Sequence, residues 1–154
     1  MRQFRYILFC GAGAALGSVG AIMALAKAEG KPVLGPVNAS SHWLWGDEAG
    51  QHSQADFRHT GMGGATNIGA GLMWGGLFGA YLQHRSPSAT DIVRDGAVLG
   101  AIASLLDYGL LPRRLSPGWE QVLSSRSVVL AMASMALGAV SGGLAALATE
   151  DQGR

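Results

Sequence analysis

The chain has 154 residues, a net charge of +1, a charged fraction of 14% and a mean hydropathy of +0.25. This length predicts one domain. The apolar content of 49% excludes disorder, and the scattered arginines with so small a net charge exclude a nucleic-acid-binding surface. The 24 glycines show no three-residue period, which excludes collagen. A membrane protein or an unusually glycine-rich soluble core remains.

Long uncharged runs favour the membrane protein. Residues 6–26, 60–83 and 127–149 contain no Lys, Arg, Asp or Glu, and about 20 apolar residues suffice to cross the hydrocarbon core. We therefore predict an all-α integral membrane bundle of four transmembrane helices in a single membrane domain. The predicted helices cover about 6–26, 60–83, 92–111 and 127–149, with a polar loop at 27–59.

The first run also has features of a targeting signal. Arg2 and Arg5 precede it, and Ala24-Leu25-Ala26 resembles a signal-peptidase site. Its apolar stretch of about 20 residues exceeds the usual signal core of about 7–15 residues, which favours an uncleaved helix. The single cysteine, Cys10, cannot form an internal disulfide and is expected to pack as a small apolar side chain.

The loop between the first two helices holds three of the four histidines. Imidazole and carboxylate alternate there, and the candidate polar site consists of His42, Asp47, His52, Asp56 and His59. Such nitrogen and oxygen ligands suit zinc, iron or manganese, or the residues form a proton-responsive site. Only Asp56 and His59 lie three or four residues apart within a segment that could begin the second long helix, and a third interpretation makes Asp56 the cap of that helix.

This loop also contains two tryptophans and a candidate helix cap, whose positions can be predicted. Trp43 and Trp45 are typical of a membrane interface, where the ring lies among headgroups and the indole N–H faces water. Asn38 or Ser40 would cap a short helix that follows. The chain lacks G-x-S-x-G, Walker, H-E-x-x-H and C-x-x-C motifs. We therefore predict no cofactor and favour a non-enzymatic protein.

The third predicted helix, 92–111, carries charges near both ends. Arg94 and Asp95 lie near its start, where they can reach the headgroups, and Asp107 lies near its end. A carboxylate at this depth needs a partner, and Arg113 or Arg114 is the expected one. Alternatively, the two arginines bind a lipid phosphate.

Every predicted span contains small residues spaced by four, which lie on one helix face and permit close packing. The rows are Gly13, Gly17 and Ala21; Gly71, Gly75 and Gly79; Gly96, Gly100 and Ser104; and Ser134, Gly138, Gly142 and Ala146. A second small face at Ala65 and Gly69 predicts a contact between copies of the chain. Asn67 is expected to hydrogen-bond to another helix or to line a ligand site.

Three segments, "NASSHWLWGDEA", "DFRHT" and "DYGLLPRRLSPGWE", resemble small bacterial inner-membrane proteins to which no named activity belongs. The resemblance implies a multi-pass protein of the bacterial inner membrane and assigns no residue a role. Lysines and arginines divide almost evenly between the two sides, so orientation is not predicted. We expect a structural or accessory component that contacts the bilayer and forms a homo-oligomer or joins a larger membrane complex. The alternative is a metal-dependent or proton-coupled enzyme or transporter that uses residues 42–59.

Overall fold

A computed structural model describes residues 4–151 and confirms the all-α class, with 82% helix and no strand among those residues. Six α-helices follow one another: α1 Arg5–Ala28, α2 Gly35–Ala39, α3 His42–Trp45, α4 Met62–Gln83, α5 Ala89–Leu105 and α6 Ser125–Asp151. Single turns of 3-10 helix occupy Asp47–Gln51, Arg113–Leu115 and Trp119–Gln121. Single π-helical turns at Phe57–Gly61 and Leu106–Leu110 precede α4 and extend α5.

Two of the four long helices have the length and apolar character of membrane spans. They are Arg5–Ala28 and Ser125–Glu150, each with a mean hydropathy of 1.9. Core helices of soluble proteins and signal sequences share these properties. The two helices therefore give weak support for membrane association and do not establish four spans.

Helix α1 packs between α4 and α6, and glycines set the separation on both sides. A β-carbon at Gly13 would overlap the backbone carbonyl of Gly138, and one at Gly142 would overlap that of Phe9. On the α4 side, a β-carbon at Gly75 would overlap the carbonyl of Cys10. The predicted small-residue rows of α1, α4 and α6 therefore lie where the three backbones touch.

Helix α5 lies against α6 on the side away from α1. A β-carbon at Gly96 would overlap the Val140 side chain, and one at Gly100 would lie 2.9 Å from the Ala136 β-carbon. This contact is between glycine and side chains, so it is less close than the backbone contacts of α1. The small residues of α5, Gly96 and Gly100, thus lie at its contact with α6.

Large apolar side chains point outward from all four long helices. Leu16 of α1 is 76% exposed and Leu137 of α6 is 64% exposed. Leu77 of α4 and Val93 of α5 are exposed as well. The interior of the bundle is rich in glycine, alanine and serine instead. The ion pairs recorded for residues 4–151 all lie near one end of the bundle or the other. An apolar band thus separates two charged ends.

The two polar segments of the chain meet at one end of this bundle. Residues 29–61 connect α1 to α4, and residues 106–124 connect α5 to α6. Glu29 and Ser124 are hydrogen-bonded, so the end of α1 lies beside the start of α6. At the opposite end, the Tyr6 hydroxyl donates to Glu150 at 3.3 Å. We call residues 29–61 and 106–124 the cap.

Replacement of Gly75 with leucine should destabilise the bundle, because the side chain has no room beside the Cys10 carbonyl. The expected loss is at least the ~1–3 kcal/mol typical of overpacked sites, measured by thermal unfolding in detergent. Gly64→Leu is the control, since a β-carbon at Gly64 on the same helix meets nothing within 4 Å. Equal melting temperatures for both variants would contradict glycine-mediated packing.

Candidate functional site

The cap is held together by hydrogen bonds between its two segments. The Ser40 hydroxyl donates to the Pro117 carbonyl at 2.7 Å. Two side chains of α3 contact a single carbonyl, that of Ser116: His42 Nε2 at 2.9 Å and the Trp43 indole N–H at 2.7 Å. The sequence presents these segments as separate polar regions, and the antiparallel order of the long helices brings them together.

Charged and hydroxyl groups also join the two cap segments to each other where α1 ends and α6 begins. Glu29 pairs with Lys31 at 2.8 Å and accepts a hydrogen bond from the Ser124 hydroxyl at 2.6 Å. The Lys31 ammonium, followed by the Ser124 and Ser127 hydroxyls, lowers the pKa of Glu29 to about 2. Lys31 also donates to the Val122 carbonyl. The carboxylate is therefore ionised at neutral pH.

His52, Asp56 and His59 form the closest group of potential metal ligands among the described residues. One ligand atom from each lies within 4.8 Å of the other two. Asp56 Oδ2 is 2.8 Å from His52 Nε2 and 3.0 Å from His59 Nδ1. The two imidazole rings stack, with centroids 4.0 Å apart and an angle of 25° between their planes. Two imidazoles therefore face one carboxylate oxygen.

Asp56 also begins the helical segment that leads into α4. Its Oδ1 accepts the backbone N–H of His59 at 2.6 Å, so the predicted role of Asp56 as a helix cap is correct. This backbone hydrogen bond, followed by the one from the His59 side chain, lowers the pKa of Asp56 to about 2. One carboxylate oxygen thus stabilises the helix start while the other faces both histidines.

Asn38 holds the segment that carries these three residues. Its side chain is fully buried; Nδ2 donates to the carbonyls of His52 at 2.9 Å and Gln54 at 3.0 Å. Its Oδ1 accepts from the Thr60 hydroxyl at 2.7 Å, and the Asp56 amide donates to that hydroxyl at 3.2 Å. The prediction that Asn38 or Ser40 caps the short helix is wrong, because Ser41 occupies the cap position of α3 and makes no side-chain cap hydrogen bond. Asn38 lies within α2 and makes its side-chain hydrogen bonds to this distant loop.

The other two residues of the five-residue candidate set lie elsewhere in the cap. His42 and Asp47 line a recess of about 560 Å³ together with Arg113, Arg114 and Glu120. His42 is buried and already bonded to the Ser116 carbonyl. The predicted set therefore divides into a compact trio and a separate recess of mixed charge. Binding of a lipid phosphate by the two arginines stays a prediction.

The expected ion pair between Asp107 and Arg113 or Arg114 does not occur among the described residues. Asp107 borders an apolar cavity of about 160 Å³ that Trp74 also lines. The π-helical turn after α5 and the break at Pro112 carry the arginines away from it.

Asn67 connects α4 to the cap rather than to another long helix. Its Oδ1 accepts the Trp119 indole N–H at 2.8 Å, and its Nδ2 donates to the Gly63 carbonyl one turn earlier. Both Asn67 and Trp119 are buried. Asn67 therefore makes a hydrogen bond to another part of the chain, but the partner lies in the segment between α5 and α6 and not in a long helix as expected.

Trp43 and Trp45 are partly exposed, but their indole N–H groups do not face water as expected. Trp43 donates to Ser116, as described above, and Trp45 donates to the Arg58 carbonyl at 2.9 Å. The Arg58 guanidinium also lies 4.5 Å from the centre of the Trp45 ring, a cation–π contact. Both rings therefore help to fix the cap.

Comparison with known proteins gives no match. No family model matches this chain, and neither does any curated protein or solved structure. This agrees with the absence of a named functional family behind the sequence resemblance.

Replacement of Asn38 with leucine should loosen the loop at 51–61. The Thr60 hydroxyl and two carbonyls lose their partner, at a cost of about 1–3 kcal/mol for each group left unsatisfied. Hydrogen–deuterium exchange of peptides from this loop should increase, while exchange in α1 stays slow. Gln54→Ala is the control, because it keeps the carbonyl that Asn38 binds. Unchanged exchange in Asn38→Leu would show that Asn38 does not hold the loop.

Proposed function

We propose that the chain is a four-span protein of the bacterial inner membrane and a structural or accessory component of a membrane assembly. The observation that carries this proposal is the arrangement of side chains around the bundle. Large apolar residues face outward along the four long helices, small residues face inward, and ion pairs stay at the two ends. A bilayer is the solvent that matches such a surface.

The two less apolar helices also fit the thickness of a bilayer. Helix α4 has 22 residues and extends about 33 Å at 1.5 Å per residue. Helix α5 has 17 residues and continues through the π-helical turn to Leu110. Its charges lie near its start, where Asp95 bonds to Arg94 at 2.8 Å and to Arg85 at 3.2 Å. This placement suits a headgroup region, where paired charges remain hydrated.

The close packing of the bundle favours an accessory role over conduction. Because α1 touches the backbones of both α4 and α6, the centre of the bundle is filled by main chain. Among the described residues, one recess of about 560 Å³ lies in the cap and another of about 440 Å³ lies at the edge between α5 and α6. The outer face of α4 stays open at Ala65 and Gly69, where a β-carbon at Gly69 meets nothing within 4 Å. Self-association through this face is the form of assembly that we propose.

Cysteine labelling tests the membrane arrangement. In a Cys10→Ala background, Ala28→Cys and Ser86→Cys place exposed thiols at opposite ends of the bundle. A membrane-impermeant maleimide applied to sealed inner-membrane vesicles should label one of them before permeabilisation and both afterwards. Labelling of both sites in sealed vesicles, or release of the untagged chain by alkaline carbonate, would overturn the proposal.

Replacement of Gly69 with leucine tests the proposed self-association. The substitution should lower the mass of the detergent-solubilised assembly, measured by light scattering, while thermal unfolding of the subunit changes little, because the site has free space. Gly64→Leu serves as the matched control on the same helix. A wild-type protein that is monomeric in mild detergent, or a Gly69→Leu assembly of unchanged mass, would reject this contact.

A further inference from the structure

His52, Asp56 and His59 form a cluster of potential metal ligands on the outer side of the cap, and helix packing alone does not explain why these side chains lie together. Two nitrogen ligands and one oxygen ligand lie within 4.8 Å of one another. Zinc binds nitrogen and oxygen at about 2.0–2.1 Å, which places neighbouring ligands of a tetrahedral site about 3.3 Å apart. The observed separations of 2.8 and 3.0 Å from Asp56 Oδ2 to the two imidazole nitrogens are near this value.

Hydrogen bonding alone accounts for one histidine and not for the other. His59 Nδ1 contacts the Asp56 carboxylate with acceptable hydrogen-bond geometry, at 3.0 Å from Oδ2. His52 Nε2 is 2.8 Å from the same oxygen, yet it is shielded from solvent and makes no hydrogen bond of acceptable geometry. A cation shared by the three atoms would engage the lone pair of this nitrogen.

We propose that His52, Asp56 and His59 bind a divalent transition-metal ion such as zinc. Two neutral imidazoles and one carboxylate form a donor set of the kind that zinc, iron and manganese accept. Calcium and magnesium prefer sites made of oxygen ligands, so they fit this set poorly. The site goes beyond the accessory role proposed above and depends on neither self-association nor the number of spans.

The backbone that carries the three ligands is fixed before any ion binds. Asn38 fixes the backbone at His52 and Gln54, and through Thr60 it also fixes the helix start at Asp56. Oδ1 of Asp56 is engaged by the His59 amide, which leaves Oδ2 directed toward the imidazoles. Little backbone entropy is therefore lost on binding, which favours affinity, and the two stacked imidazole rings need only turn about their side-chain bonds to direct their lone pairs at one ion.

A fourth ligand position is accessible from outside. Both histidines border an open recess of about 320 Å³ that Glu48, Gln51 and Arg58 also line. Arg58 pairs with Glu48 at 3.2 Å, so its positive charge is partly compensated beside the proposed ion. Three protein ligands with an open fourth position allow water or an anionic group to complete the coordination.

Metal titration of the full chain in detergent tests the proposal. The protein carries a tag without histidine, is stripped with a chelator, and is titrated with Zn²⁺ against a chromophoric competitor. Wild type should bind one equivalent, and His52→Gln or His59→Gln should weaken binding by more than about tenfold, the loss that even an outer-shell partner can cause. Visible absorption of the Co²⁺ complex should show the d–d bands of a low-coordinate site, absent from both variants.

Two other histidines provide matched controls. His42→Gln alters a histidine that is bonded to Ser116, and His84→Gln alters one beyond the end of α4, so both should keep wild-type zinc affinity. His52 is partly exposed, and its variant should melt like wild type in the absence of metal. Wild type that binds no stoichiometric zinc, or affinity unchanged in both His52→Gln and His59→Gln, would overturn the site. Either result leaves the labelling and mass experiments unaffected.

Discussion

Direct contact between helix backbones is the constraint on which the rest of this molecule depends. Helix α1 is sandwiched between α4 and α6, and the glycines at these contacts cannot carry a side chain without displacing a neighbouring carbonyl. Because glycine and other small residues occupy the closest helix contacts, many large apolar side chains, such as Leu16 and Leu137, lie on the outside, while a smaller set that includes Ile22, Leu82 and Ile92 is buried. The exposed apolar surface and the close packing of the helices are therefore two consequences of the same distribution of large and small residues.

The same packing builds the cap. The antiparallel order of α1, α4, α5 and α6 places both long connections at one end of the bundle, where they contact each other. Trp119 then contacts Asn67 in α4, and His42 contacts Ser116 between α5 and α6. The His52–Asp56–His59 cluster lies on this scaffold, with its backbone fixed by the buried Asn38. Rigid helices thus position a polar group that a free loop would leave mobile.

The all-helical class is predictable from the sequence because an uncharged run or a row of small residues spaced by four depends only on neighbouring residues of one helix. Asp56 as a helix cap was predictable for the same reason, since its partner His59 is three residues away. Asn38 and Thr60 were missed as partners because 22 residues separate them. The predicted ion pair between Asp107 and Arg113 or Arg114 was wrong, because the spacing was judged along an ideal helix. The π-helical turn and Pro112 change the direction of the chain before it reaches these arginines.

The tryptophans of this protein are confined to one part of the structure. Trp43 and Trp119 belong to the cap, Trp74 borders the same cavity beneath them, and Trp45 stacks with Arg58 nearby. The opposite half of the bundle has tyrosine and phenylalanine as its aromatic residues. Intrinsic fluorescence excited at the indole band therefore reports the environment of the cap almost alone. Emission and quenching would register rearrangement around the histidine cluster while remaining nearly blind to separation of the helices at the far end.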